Sequence, residues 1–339
     1  MDNFEFKVED CSSLKVDLLK NVYEKRNIVY GKLYKFEKVN HLKHSFLYVS
    51  YCKNLETDNF IVTIKGSIRK WYLGKNSFND LTENEFEDCL NLIAHRLGIV
   101  NEEFWNCKIQ KLEISLTIKL KAKYRHILKS FVYYSNFDRS TYGTNSLAFK
   151  GDAYGVKLYD TIEKTLSTKR IIKEINHKLI EKKIRRKTIN LIKNKAFFVR
   201  CELDVNKIYK MKSTLKNLIN SPIEIKNNWN KIYHEFKDMI CSITCLSLND
   251  EFGNEISLSA IRRKLELGEI SIREFDRLVL IHMLGFDNYY EDINLLSNDT
   301  TKNRQREQLK KLLEVKMTKC DDLNVLIKGF DKALSKTEL

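Results

Sequence analysis

Gln110-Lys-Leu-Glu-Ile-Ser-Leu-Thr-Ile-Lys119 alternates without a break, with Leu112, Ile114, Leu116 and Ile118 on one side and Glu113, Ser115, Thr117 and Lys119 on the other. A period of two is that of a β-strand packing one face on a core. Two later stretches repeat it. In Tyr154–Lys164, Val156, Leu158 and Ile162 oppose Lys157, Tyr159, Thr161 and Glu163. In Ala196–Val205, Phe197, Val199, Cys201 and Leu203 oppose Phe198, Arg200, Glu202 and Asp204. If the three pair in one antiparallel sheet, its open face collects carboxylates at Glu113 and Glu202, a phenol at Tyr159, and cations at Lys157 and Arg200. Oxygen donors of this kind hold a hard divalent cation, and an exposed phenol on a rigid mount attacks a phosphate presented to it.

Upstream, Ile28–Val39, Ser45–Lys53 and Asn59–Trp71 are rich in β-branched and aromatic residues and read as strands. In the third, Thr63, Lys65, Ser67 and Arg69 share a face, a basic floor backed by Val62, Ile64 and Ile68. Residues 13–24 and 122–134 read as helices. Thr82-Glu-Asn-Glu85 is a capping box that opens an amphipathic helix over about residues 82–97, stopped by Gly98. After about Lys207 helical patterns dominate, and the only proline, Pro222, marks a boundary. Ser257–Leu267 and residues 271–284 are spaced as a helix pair, either a duplex-reading helix-turn-helix or a plain hairpin. The fold expected is α+β. An antiparallel central sheet with flanking helices occupies residues 1–206, and a mainly helical C-terminal domain occupies 207–339.

The formal charge of +15 favours a polyanionic partner, nucleic acid first. Lys164–Lys195 concentrates it, with 12 Lys/Arg against 2 Glu on an amphipathic helical pattern; Lys164, Arg170, Lys182, Arg185, Arg186 and Lys187 are its candidate phosphate contacts. Lys65 and Arg69 join them from the basic floor. The eight cysteines are scattered, without zinc-ligand spacing, and no run approaches the ~20 apolar residues of a membrane span. A cytoplasmic protein with reduced thiols and no membrane contact is expected.

The order of these segments resembles a known family. Val62-Thr-Ile-Lys-Gly-Ser67, Trp71 and Leu73, the helix ending Arg96-Leu-Gly98, Lys111-Leu-Glu-Ile-Ser115, Val156-Lys-Leu-Tyr-Asp160 and Val199-Arg-Cys-Glu-Leu203 are similar to segments of the filamentous-phage gene two/gene ten replication initiators, and through them to the HUH class of rolling-circle endonucleases. The resemblance covers less than half the chain. It implies an HUH-like Rep fold and a metal-dependent, site-specific nicking and joining activity on single-stranded origin DNA, with host helicase and polymerase as partners. Tyr159 falls on the nicking tyrosine and Glu113 on the acidic residue of the metal-binding strand. Glu202 is the second candidate ligand, Mg²⁺ or Mn²⁺ the implied ion, and Lys157 a candidate cation for the phosphate. The chain departs from the pattern in having no His-hydrophobic-His pair and in carrying Thr161 where many relatives have lysine. A non-catalytic basic DNA-binding protein, a plasmid repressor or partition factor, accounts for the charge equally well.

Overall fold

The computed structural model describes residues 1–15, 20–21, 33–37, 46–54, 57–74, 79–134, 137–141, 146–162, 196–211, 214–245, 258–284, 286–316 and 321–337. The alternating stretches become strands: β1 (Asn3–Cys11), β2 (Lys20–Asn21), β3 (Leu33–Glu37), β4 (Phe46–Lys53), β5 (Phe60–Ser67), β6 (Lys108–Lys121), β7 (Phe131–Tyr133), β8 (Asp138–Thr141), β9 (Ser146–Lys150), β10 (Tyr154–Asp160), β11 (Ala196–Val205) and β12 (Thr244–Cys245). Ten of them form one sheet in the order β2-β3-β4-β5-β1-β6-β11-β10-β9-β8, antiparallel at every junction, while β7 pairs with β12. The expected α+β class with an antiparallel central sheet is therefore present.

Helices follow as α1 (Ile68–Leu73), α2 (Glu83–Leu97), α3 (Asn101–Trp105), α4 (Ile127–Ser130), α5 (Pro222–Asn227), α6 (Trp229–Cys241), α7 (Leu258–Glu266), α8 (Ile272–Leu284), α9 (Phe286–Leu295), α10 (Asp299–Lys316) and α11 (Asp321–Leu334). The α2 capping box forms as read, with Thr82 accepting from the Glu85 amide and the Glu85 side chain accepting from the Thr82 amide. Gly98 ends that helix at φ +72°, a left-handed conformation that glycine adopts without Cβ strain. No described helix is long and apolar enough to cross a membrane.

Three expectations need correction. The strand read over Asn59–Trp71 stops at Ser67. Gly66 takes φ +141° and Ser67 caps α1, so Arg69 leaves the basic floor and enters a buried helix. Residues 122–134 are a 3₁₀ turn, one short helix and strand β7 rather than a single helix. The domain boundary near Lys207 cuts through one core: Trp229, Phe236, Leu326 and Phe330 pack in the same apolar cluster as Phe4, Leu116 and Leu203. Pro222 is the first residue of α5, behind its Ser221 cap. The helices that bury their apolar residues outside this cluster come later, with Ile261, Ile281, Tyr290 and Leu309 of α7–α10. Ser257 and the basic stretch 164–195 lie outside the described residues, and with that stretch Lys164, Arg170, Lys182, Arg185, Arg186 and Lys187. Residues 16–19, 22–32 and 38–45 of the N-terminal readings lie outside as well.

Candidate active site

Cross-strand register brings the polar positions together. Opposite one another lie Asp204 and Glu113; Lys157, Glu202 and Ser115; and Tyr159, Arg200 and Thr117. Residues directly opposite in a ladder point to the same face, so the three strands present one polar surface, as their alternation requires. Lys65 stays on this sheet as an exposed residue of β5.

At the centre is Arg200, 2% exposed. Its Nε donates to Glu202 Oε1 (3.0 Å), Nη1 to Asp80 Oδ1 (2.8 Å) and Thr117 Oγ1 (2.8 Å), and Nη2 to Asp2 Oδ2 (2.7 Å) and Ser115 Oγ (2.6 Å). A guanidinium has five N–H donors, and here each has an acceptor. Arg69 Nε also reaches Asp2 Oδ2, at 3.2 Å, and Ser67 Oγ donates to Asp2 Oδ1. The N-terminal segment that carries Asp2 is pinned by backbone bonds from the Asp2 amide to the Glu113 carbonyl (2.9 Å) and from the Ile68 amide to the Asp2 carbonyl (2.9 Å). The Met1 amino group donates to the Tyr233 hydroxyl of α6 (2.9 Å), which donates to the Ser115 carbonyl (3.2 Å).

The Tyr159 hydroxyl donates to Glu202 Oε1 on the neighbouring strand. The expectation of an exposed phenol is corrected: Tyr159 is 6% exposed, because it lies on the polar face where that face is itself covered. Burial, then the charge of Glu202, pushes its pKa well above the ordinary tyrosine range, so the phenol is protonated at neutral pH. Lys157 does not meet the phenol's partner; it donates to Asp204 at 2.7 Å. Burial alone would lower its pKa, but the Asp204 contact outweighs it and raises the pKa.

Glu113, Glu202 and Asp2 each offer a carboxylate oxygen within 4.8 Å of the others, all three residues buried. The carboxyls diverge electrostatically. Burial favours the neutral form of Asp2, but Arg69 and Arg200 outweigh it and hold the carboxyl well below the usual range. Among the described residues Glu113 has the Asn3 amide as its one hydrogen-bond donor (3.0 Å); burial, then Glu202 and Asp2, raises it to about 7. Three carboxyl groups (Asp2, Asp80, Glu202) thus pair with two guanidiniums (Arg69, Arg200), and Glu113 adds a fourth acid that pairs with neither among the described residues, so acids outnumber cations in the cluster.

An all-oxygen donor set with excess negative charge suits a hard divalent cation such as Mg²⁺ or Mn²⁺. Glu113 Oε1 and Glu202 Oε2 accept no hydrogen bond among the described residues, which leaves one oxygen of each for such an ion. Of the expected site residues, Tyr159, Glu113 and Glu202 converge, and Lys157 stands one residue pair away. Lys65 lies outside the cluster, and Arg69 serves it as a buried partner of Asp2. Sequence reading missed Asp2 and Asp80, which belong to no periodic pattern and reach the site only through tertiary packing. Arg200 was visible as a polar-face cation, but its central place was not. A scan against protein-family models finds none that matches this chain, and a search of curated proteins finds no match either.

Proposed function

We propose that this cluster cleaves and rejoins a phosphodiester of single-stranded DNA through a phosphotyrosine, the reaction of an HUH-like rolling-circle replication initiator. One observation carries the reading: the Tyr159 hydroxyl donates to a buried carboxylate, Glu202, beside two further carboxylates, Glu113 on the same sheet face and Asp2 from the segment before β1. A phenol held protonated by its surroundings becomes a nucleophile when its proton leaves as it attacks, and Glu202 is placed to take that proton. The Tyr159 oxygen then bonds to phosphorus, the bond to the 3′ oxygen breaks, and that oxygen leaves as a 3′ hydroxyl after taking a proton. Arg200 fixes the Glu202 carboxylate through Oε1 and so orients the base. Asp2, Glu113 and Glu202 would hold Mg²⁺ or Mn²⁺, which supplies electrostatic stabilisation to the charge developing on the phosphoryl oxygens. Because Tyr159 is almost closed to solvent, this reading includes an opening step before a strand can reach the phenol.

The second reading, a basic nucleic-acid binder without catalysis, has its own support in the same site. An Arg200 with all donors satisfied and a sealed phenol are what a purely structural buried network also requires. A pool of labelled single-stranded oligonucleotides incubated with the protein and Mn²⁺, then run on a denaturing gel, separates the two. A covalent adduct formed by the wild type and lost in Tyr159→Phe is the expected result. An adduct retained by Tyr159→Phe removes this tyrosine from the role, and no adduct in the wild type leaves the binding reading.

A further inference from the structure

Past Glu113, strand β6 has no β1 partner; the Thr117 amide instead donates to Asp80 Oδ2 (2.5 Å). From there a cleft of about 760 Å³ runs along the edge of β6, with Thr117, Lys119, Lys121 and Phe198 of the polar face on its floor and Leu120 of the other face beside them; the Asn79–Glu85 segment bounds it, as does the C-terminal end of α11, which packs through Gly329 against Ile118 and Leu120. Pockets of roughly 300–1,000 Å³ take small organic ligands, so a nucleotide fits the space. Four lysines, Lys119, Lys121, Lys332 and Lys336, line it, and none forms an ion pair among the described residues. The two acids that line it are already engaged: Asp80 with Arg200 and Thr117, Glu85 in the α2 capping box. On the floor lies the half-buried Phe198, with the Lys119 ammonium 5.8 Å from its ring centre.

An aromatic ring in a cleft lined by several cations is what an unpaired base and its flanking phosphates bind. Asp80 and Thr117 line this cleft and also hold Arg200, so its inner end adjoins the Tyr159 cluster. We infer that the cleft holds unpaired nucleotides of a single strand beside the reacting phosphate, a base stacked on Phe198 and phosphates against Lys119, Lys121, Lys332 and Lys336. Its position relative to chemistry rests on the nicking reading; its binding does not.

Fluorescence anisotropy of the full chain with a labelled oligothymidylate tests it, with circular dichroism confirming that each variant is folded. Phe198→Leu keeps an apolar residue but removes the stacking face, and weakens binding about tenfold; Phe198→Trp restores it. The double variant Lys332→Ala/Lys336→Ala lowers the slope of log Kd against log salt by about 1.4, roughly 0.7 for each single-strand phosphate that no longer meets a lysine. Wild-type affinity in Phe198→Leu, an unchanged slope in the double variant, an equal slope loss in Lys302→Ala on α10, or competition by duplex as effective as by single strand each overturns the proposal. If cleft variants bind weakly but no covalent adduct ever forms, the nicking reading falls and the cleft stands. If adduct yield and affinity survive in the cleft variants, the cleft falls alone.

Discussion

Replacing Glu113 by Gln tests the charge imbalance of the site directly. The carboxyl is raised from 4.5 to about 7, by burial first and then by Glu202 and Asp2. A displacement of that size corresponds to about 3 kcal/mol of differential interaction between its two protonation states. The sign follows from proton binding. Between the two values the folded protein binds the proton and the unfolded chain does not, so stability falls as pH rises through this window. Below it both states are protonated and no penalty exists; above it both are charged and the whole penalty is present. Glu113→Gln, neutral throughout, should match the wild type at about pH 4.5 and exceed it by up to about 3 kcal/mol at about pH 8. Urea unfolding followed by tryptophan fluorescence suits the assay, because all three tryptophans, Trp71, Trp105 and Trp229, pack on or in the main core. A second arm adds Mn²⁺ at the alkaline end. An ion bound between the carboxylates stabilises the wild type by about 2.7 kcal/mol at a hundred times its Kd, and Glu113→Gln far less. A stability difference between the two proteins that is the same at both pH values refutes the raised carboxyl; equal stabilisation of both by Mn²⁺ refutes the ion site.

Two further substitutions probe the frame that holds the site. Arg200→Met keeps much of the side-chain volume but leaves buried Asp80 and Glu202 without their shared cation and Asp2 with Arg69 alone, and should cost about 3–5 kcal/mol at neutral pH in the same unfolding assay. A loss below about 1 kcal/mol contradicts the central role given to this guanidinium. Gly155→Ala would set a Cβ 2.7 Å from the Phe149 carbonyl oxygen, forcing β9 and β10 apart, for a loss of about 1–3 kcal/mol. Faster amide exchange confined to those two strands is the expected signature, and unchanged exchange there refutes the close approach.

Much of the sheet was legible because its strands bury one face and expose the other to polar partners. Period two then survives in the sequence at Glu113, Ser115 and Thr117, and again at Lys157 and Tyr159, so both the strands and the shared face of the candidate site could be read. Helix α2 was legible for a different reason: its stop and start are local chemistry, a capping box and a glycine at positive φ. Arg69 was misplaced because alternation continues past Gly66 and Ser67 into α1, and a backbone turn at one glycine overrides two residues of pattern. Burial of the polar face was not legible at all. Polar residues on a strand read as solvent-facing unless the cover is known, and the cover includes Asp2 and Asp80, contributed from outside any periodic segment. The boundary near Lys207 failed for a related reason: composition changes there, but α6 and α11 return to the sheet and close its core, as the Phe236–Phe330 ring contact at 5.7 Å shows.

The Arg200 network bears on the tyrosine in a way that its burial alone obscures. Arg200 approaches Glu202 through Oε1, the same oxygen that accepts the Tyr159 hydroxyl, and approaches Asp2 through Oδ2. The guanidinium therefore engages the carboxylates on one side. Among the described residues nothing donates to the remaining oxygens of Glu113 and Glu202, which suits them to another cation or to one proton shared between them. A network whose only task was to neutralise buried acids would be expected to spread its donors over all three carboxylates. Here both guanidiniums hydrogen-bond Asp2, while Glu113 receives a neutral amide and a pKa near neutrality. Uneven compensation of this kind leaves Glu113 near neutrality, and the oxygens of Glu113 and Glu202 that accept no hydrogen bond among the described residues belong to the same cluster as the phenol, the combination of shifted acid and adjoining nucleophile that a reactive site uses.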